Sequence, residues 1–355
     1  MFKAAIVGCG RIAGEFEDLL ETQKPCTHAG SYHISKKISL EWINDFDLQK
    51  VQSFANRWSI PENNCFTSTV DMFSSCDIDV LSICTPCNTH FEIIKLAVDT
   101  IPSLKVIWCE KPLADSPEKC REINRICKEK GVKVVVNYWR RYDDFHRYVA
   151  DLIRSQEVGE VYAYDCESHV GLMNCGTHLL DLLLMYSSEN LKSVKGEIRP
   201  DGSNDPGALG YFELSDGKKV LFDCAWKENP KIGVTVRGEK GKIVALTNKV
   251  LIDEVFVHKK DESKTITRSE MGFESPYKNL IRDIEDALEK DSDLYTDSHD
   301  AAESIEAVAA IYMSDKTDQI ESIPVNDVEF KDKNYDCRIT SMTKDGTIPD
   351  AWRKP

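Results

Sequence analysis

Short apolar, β-branched runs recur through the first 140 positions, and stretches with helical spacing of apolar residues lie between them. Strands are predicted at 3–7, 38–43, 80–84, 106–109 and 133–137, and helices at 48–58, 91–99 and 117–130. The last helix ends on Lys130-Gly131, a stop signal. This alternation is the pattern of a parallel sheet with crossover helices. After Tyr142 the pattern changes. A helix is predicted at 144–155, a strand at 160–167 and a strongly apolar helix at 177–186. Residues 191–257 read as an antiparallel meander. Its strands 208–214 and 219–226 are joined by Ser215-Asp216-Gly217-Lys218, and 232–236 and 242–246 by Gly238-Glu239-Lys240-Gly241. Helices follow at 277–288, where Leu280, Ile281, Ile284, Ala287 and Leu288 recur with helical period, and at 301–313. The tail 323–355 has no period, and its Trp352 is a candidate anchor on the body or on a neighbouring subunit.

With 355 residues the chain exceeds the size of a single core, so two domains are expected, at 1–140 and 141–355. No apolar run approaches the ~18–20 residues of a membrane span, and the first residues do not form a signal peptide, which predicts a cytoplasmic protein with no membrane partner. The net charge of −15, with Lys and Arg scattered, argues against nucleic acid. A small anionic ligand in a local pocket stays compatible. The 13 cysteines lack the tight spacing of a secreted scaffold and read as reduced thiols. Cys84-Thr85-Pro86-Cys87 matches a thiol-redox spacing. It falls after a third strand rather than at the start of a small domain, so it is read as incidental. No second pair completes a zinc site, and no metal is expected.

The run Ala4-Ala5-Ile6-Val7 leads into Gly8-Cys9-Gly10-Arg11-Ile12-Ala13, a G-x-G-x-x-A arrangement. At this spacing Gly8 permits a tight turn, Gly10 lets a pyrophosphate approach the backbone, and Ala13 allows close helix–strand packing. Glycines also mark ordinary turns, but a strand before and a helix after favour a dinucleotide loop. Asp45, at the end of the second strand, is placed to accept bonds from two ribose hydroxyls and to repel a 2′-phosphate, favouring NAD over NADP. It lies farther from the glycines than the usual ~20 residues, so 21–26 reads as an inserted loop; a solvated turn acid is the alternative.

In register with these come Thr85-Pro86 with His90, Cys109-Glu110-Lys111-Pro112, Arg140-Arg141-Tyr142 and Asn174-Cys175-Gly176-Thr177-His178-Leu179-Leu180-Asp181. The set resembles the glucose–fructose oxidoreductase and inositol dehydrogenase family, Gfo/Idh/MocA, over nearly the whole chain. The resemblance implies an α/β protein: an N-terminal Rossmann domain with a doubly wound parallel sheet, then a substrate-binding and oligomerisation domain. The second domain would carry an open, mainly antiparallel sheet whose free face mediates homodimer or homotetramer assembly. Cofactor contacts are then expected from Gly8, Gly10, Arg11, Ile12, Asp45, Thr85, Pro86, His90, Glu110 and Lys111.

The residues themselves support this. Thr85-Pro86 and Glu110-Lys111-Pro112 sit just past the carboxyl ends of predicted parallel strands, where open sheets bind ligands. There Lys111 can stabilise a developing alkoxide or relay its proton; a solvated surface lysine is the plainer alternative. Asn174, His178 and Asp181 are spaced i, i+4, i+7, a polar stripe on an otherwise apolar helix, which needs partners such as a ligand cavity. Helix capping by Asn174 and a satisfied core histidine would also explain it. The resemblance makes His178 the acid–base residue. Many members carry Asp where this chain has Asn174, and Asn fits those acting on nucleotide-linked or uronic sugars.

The function expected is NAD-dependent hydride transfer to or from a hydroxyl-bearing carbon of a sugar, sugar acid, nucleotide sugar or cyclitol. Lys111, His178 and Asn174 are the catalytic candidates. The alternatives are an NAD-using lyase or glycosidase with transient oxidation, and a catalytically silent nucleotide-binding regulator. Substrate contacts would come from the meander, Arg141 and the inserted region 21–33.

Overall fold

A computed structural model describes residues 1–169, 171–225, 231–247, 251–252, 254–260, 262–296 and 298–325. The first unit comprises Met1–Tyr142 and Glu274–Ala301; the second comprises Asp143–Phe273 and the residues from Ala302 on. This departs from a linear division at residue 140, because 274–301 returns to the first unit.

The first unit holds β1 (Phe2–Val7), β2 (Ile38–Asn44), β3 (Cys65–Phe66), β4 (Val80–Ile83), β5 (Val106–Cys109) and β6 (Lys133–Val136). All pair in parallel, in the order β3-β2-β1-β4-β5-β6. A parallel sheet is covered on both faces, so its strands are continuous apolar runs: every residue of β4 and β5 is buried. The connecting helices are α1 (Phe16–Leu19), α2 (His28–Ile34), α3 (Leu48–Trp58), α4 (Thr69–Ser75), α5 (His90–Thr100) and α6 (Pro117–Lys130). Their ends follow local chemistry. Asp47 accepts from the amide of Gln49 at 2.9 Å to start α3. Ser116 caps α6, Pro117 opens it, and Gly131, at φ +70°, ends it.

The second unit holds α7 (Asp144–Arg154), β7 (Val161–Glu167), α8 (Thr177–Ser187), β8 (Leu191–Arg199), β9 (Gly207–Leu214), β10 (Lys219–Asp223), β11 (Ile232–Gly238) and β12 (Gly241–Thr247). It continues with β13 (Glu254–Lys259), β14 (Ser263–Thr267) and α9 (Arg268–Met271). α10 (Pro276–Lys290) belongs to the first unit, α11 (Ser298–Thr317) crosses the division at residue 301, and β15 (Glu321–Ser322) closes the series. Among the described residues the nine strands form one sheet, β14-β13-β12-β11-β7-β10-β9-β8-β15. It is mainly antiparallel, as expected, but β10 runs parallel to β7, with Leu221 beside Asp165. Residues 191–257 are therefore no simple meander: β7 enters between β10 and β11. α8 is buried on nearly all sides, in line with its apolar sequence. Trp226 and the tail with Trp352 lie outside the described residues.

Every described cysteine but Cys87 is a free thiol. Cys87 is disulfide-bonded, which corrects the all-reduced reading at that position, and free Cys84 is not its partner. Among the described residues, no helix is long and apolar enough to cross a membrane.

α10 belongs to the first unit because Tyr277, Leu280, Ile281 and Ile284 share a core with Val106, Trp108 and Tyr142. The rings of Tyr277 and Trp108 lie 6.1 Å apart. Leu280 is fully buried there. Leu280→Ala should cost about 2–5 kcal/mol, read as a lower urea midpoint for the transition reported by the first unit's tryptophans. An unchanged midpoint would show that α10 does not belong to that core.

Candidate active site

Because β1 pairs with both β2 and β4, the residues following these strands meet at one edge. Gly8, at φ +94°, leaves β1 so close to β4 that a Cβ would sit 2.7 Å from the Cys84 carbonyl oxygen. Gly10 has open space around it, with no atom within 4 Å of an added Cβ. A crowded crossing followed by an open backbone suits a loop that admits a phosphate. Ala13 is fully buried. A Cβ on Gly14 would strike the Trp58 indole nitrogen at 2.4 Å, which brings α3 against the same turn. Arg11 and Ile12 open a π-turn, Arg11–Glu15, that runs into α1. Both are half-buried.

Asp45 binds this loop to β2. Its carboxylate accepts from the amide of Cys9 at 2.9 Å and from that of Asp47 at 3.0 Å. Beside it Phe46 is 87% exposed, with the Lys50 ammonium 5.8 Å from its ring centre.

Past β4, the Thr89 hydroxyl donates to Thr85 Oγ1 at 2.7 Å, and Pro86 is exposed. His90 is fully buried and spans two loops: Nε2 lies 2.8 Å from the Thr85 carbonyl, Nδ1 3.0 Å from that of Pro112 and 3.3 Å from Cys109 Sγ. Both ring nitrogens face protein groups, so its place is between the cofactor-loop candidates and the Glu-Lys-Pro turn.

Lys111 is half-buried directly after β5, with a cis peptide to Pro112. The Glu110 side chain turns inward, and Oε1 accepts from His28 Nε2 at 3.0 Å and from the Asn137 amide. His28 Nδ1 lies 2.9 Å from Ser82 Oγ, and Ser82 Oγ 2.7 Å from the Tyr32 hydroxyl. Asn137 also donates to Tyr277 Oη at 3.0 Å. The His28 ring stacks on Trp108 at 3.8 Å. His28, Ser82 and Asn137 were not anticipated from sequence. Ser82 did leave a trace, as the polar member of Val80-Leu81-Ser82-Ile83.

Arg141 is committed to an ion pair with Asp300 at 2.6 Å, and Arg140 stacks over Trp139 at 4.3 Å. The Tyr142 hydroxyl donates to Asp283 at 2.8 Å. The Arg-Arg-Tyr run thus makes bonds within the first unit.

In the second unit Asn174 lies in a π-turn, Leu172–Gly176, whereas His178 and Asp181 lie in α8. The expected stripe therefore does not follow one regular helix. Asp205, also unanticipated, holds that turn: its two oxygens accept from the amides of Met173 at 2.8 Å and Asn174 at 2.9 Å. The Leu172 amide donates to the Pro206 carbonyl at 2.9 Å. Asp181 is buried, and Asn174 and His178 are half-buried. Among the described residues there is no group of three or more His, Cys, Asp or Glu suited to a metal ion.

Residues 2–138 match the model of the Gfo/Idh/MocA oxidoreductase family with its NAD-binding Rossmann fold. Over that stretch the chain is similar to the family's NAD-binding domain. It is 30% identical over 224 residues to inositol 2-dehydrogenase 3 of Saccharopolyspora erythraea, covering 57% of this chain and 63% of the relative. The chain spans less than two thirds of the length of the curated relatives it matches first. Its fold is that of an oxidoreductase of Desulfitobacterium hafniense named for NADPH, with a TM-score of 0.76 at 18% identity, covering 91% and 98% of the two chains. It is also that of the WlbA dehydrogenase of Bordetella pertussis in complex with NADH and UDP-GlcNAcA, with a TM-score of 0.75 at 18% identity over 92% and 98%.

Burial lowers the pKa of both His28 and His90 from the ordinary 6.5, against weaker opposition from Glu110 and, for His90, from the backbone carbonyls. The unfolded chain binds protons at these rings below about pH 6.5, where the folded rings stay neutral. The unfolded state then holds more protons. Stability present above that pH is lost as pH falls towards the folded values, by at most about 1.4 kcal/mol per pH unit per histidine. The urea midpoint should be lower at pH 5.5 than at pH 7.5. An equal or higher midpoint at pH 5.5 would mean that the rings are charged in the fold.

Proposed function

We propose that the chain is an NAD-dependent dehydrogenase or ketoreductase acting on a hydroxyl-bearing carbon of a sugar, sugar acid, nucleotide sugar or cyclitol. The observation that carries this reading is the edge where β1, β2, β4 and β5 end. The crowded Gly8, the open Gly10, the Asp45 carboxylate, Thr85 and Lys111 all fall there, at the point where strand order reverses. The family match over residues 2–138 and the relatives named above support it.

Gly8, Gly10, Arg11 and Ile12 would hold the pyrophosphate, and Asp45 the adenosine ribose. Thr85, Pro86, Glu110 and Lys111 would border the nicotinamide, with His90 keeping their loops together. When bound, NAD supplies the two-electron oxidant or, reduced, the reductant. The work of this chain's residues is to orient the substrate and move its hydroxyl proton. Lys111 would stabilise the developing alkoxide or relay that proton. His178 would act as the acid–base group, and Asn174, a hydrogen-bonding amide whose backbone Asp205 fixes, would orient the ring or a substrate hydroxyl. The reading also makes the protein a cytoplasmic homodimer or homotetramer, with no nucleic-acid or membrane partner. Assembly through the sheet of the second unit is supported by Tyr211 and Leu221, cross-strand neighbours that are 47% and 56% exposed.

Steady NADH production from NAD with a panel of myo-inositol, aldoses, uronic acids and nucleotide sugars tests the reaction. Retained cofactor without net turnover on any of them would overturn it. Lys111→Ala should keep NAD binding within about threefold and lower kcat by roughly 10²-fold or more; survival of kcat within about threefold would remove Lys111 from the chemistry. NAD should bind about tenfold or more tighter than NADP, because the Asp45 carboxylate repels the 2′-phosphate. Asp45→Ser should narrow that ratio, and calorimetric titration showing a preference for NADP in the unaltered protein would reverse the assignment.

A further inference from the structure

We propose that His28 is a positioning residue for Lys111, acting through the buried carboxylate of Glu110. This rests on the reading of Lys111 as the proton-handling group.

A carboxylate accepts hydrogen bonds, so His28 Nε2 carries the proton shared with Glu110 at 3.0 Å. In a neutral ring Nδ1 is then an acceptor, so the Ser82 hydroxyl donates to it at 2.9 Å. Ser82 Oγ in turn accepts from the Tyr32 hydroxyl at 2.7 Å. One carboxylate thus fixes the direction of each proton along Tyr32, Ser82, His28 and Glu110, groups drawn from α2, β4 and the turn after β5. Asn137, following β6, adds a second donor to the same Glu110 oxygen and ties it to Tyr277 of α10. Stacking on fully buried Trp108 fixes the plane of the imidazole. The other titratable groups facing the carboxylate are His90, whose pKa burial lowers, and the thiols of Cys84 and Cys109 and the Tyr277 phenol, which burial pushes up, so all four are neutral.

A polar chain in the middle of an apolar core stabilises poorly, since well-packed apolar side chains of the same volume would do as well or better. What it provides is fixed geometry. Glu110 precedes Lys111 and is held by His28 and Asn137. Pro112 follows Lys111, and its carbonyl lies 3.0 Å from Nδ1 of buried His90. Buried histidines therefore flank the lysine on both sides. The same bonds keep an anionic side chain inward, one residue from the lysine.

The test compares His28→Leu with His28→Gln, whose amide restores a donor to Glu110. Without the His28 donor the carboxylate keeps only the Asn137 amide, so the inward seat of the side chain beside Lys111 is loosened and the lysine's surroundings change. The probe is trinitrobenzenesulfonate, with labelling of the Lys111 peptide followed by mass spectrometry across pH on the full chain with NAD. In His28→Leu the Lys111 profile should move to lower pH, with more than about threefold faster labelling at pH 8 and surface lysines unchanged. His28→Gln should return it towards the unaltered profile. On a substrate found in the panel above, His28→Leu should lower kcat by at least about tenfold, with KM for NAD within about threefold. A folded His28→Leu whose Lys111 profile and kcat both stay unchanged overturns the proposal, even if its Tm falls. If His28→Leu does not fold, Ser82→Ala removes the donor to Nδ1 and should move the profile in the same direction; no movement there also overturns it. If the profile moves as expected but Lys111→Ala keeps its turnover, the positioning holds and the catalytic reading of Lys111 fails.

Discussion

Strands that all run one way put their carboxyl ends on one edge of the sheet, and the amide groups they leave behind there must find partners. In the first unit the Cys9 amide finds Asp45, the Cys84 amide finds the Val7 carbonyl, and the Glu110 amide finds that of Ile83. The loops that carry the candidate chemistry are thus continuations of the sheet's own bonding. Gly8 shows how little room remains, since a single added carbon would meet the next strand's carbonyl. The second unit shows the same economy at the π-turn, where Asp205 accepts the two amides that the start of that turn would otherwise leave without a partner.

Two kinds of polar group support these turns. Asp45 and Asp205 bond to backbone, which needs only a carboxylate of the right reach. The chain through His28 bonds side chain to side chain across α2, β4, β5 and β6. Such a network has value only when every member is in place. That difference sets what the molecule tolerates: the first kind fails locally, the second as a group.

Much of this was legible in the sequence, for a physical reason. Strands buried on both faces must be apolar throughout, so 106–109 stood out as a run, helical spacing marked 48–58, and the stop signal Lys130-Gly131 marked the end of 117–130. β3 is two residues long, and α2 and α4 have seven each, too short for a period to register. The parallel seat of β10 beside β7 is a choice between partners distant in sequence, which no local pattern records. The candidate residues at strand ends were legible because position alone nominates them. Their supports were not. His28 meets Glu110 across 82 positions, and Asp205 meets Asn174 across 31. Neither partner carries a local mark of the other.

The return of 274–301 to the first unit has a consequence for how the protein is made. A ribosome delivers Met1–Tyr142 first, yet the α10 side chains that complete the Trp108 core emerge only after all of Asp143–Phe273. Until then the face of Trp108, Val106 and Tyr142 is incompletely covered, and Asn137 lacks its Tyr277 partner. Closing so long a loop is slow compared with local folding, and apolar surface waiting for a late partner invites misassembly. The nascent first unit therefore remains open through the synthesis of most of the second, an interval in which a chaperone would find its substrate.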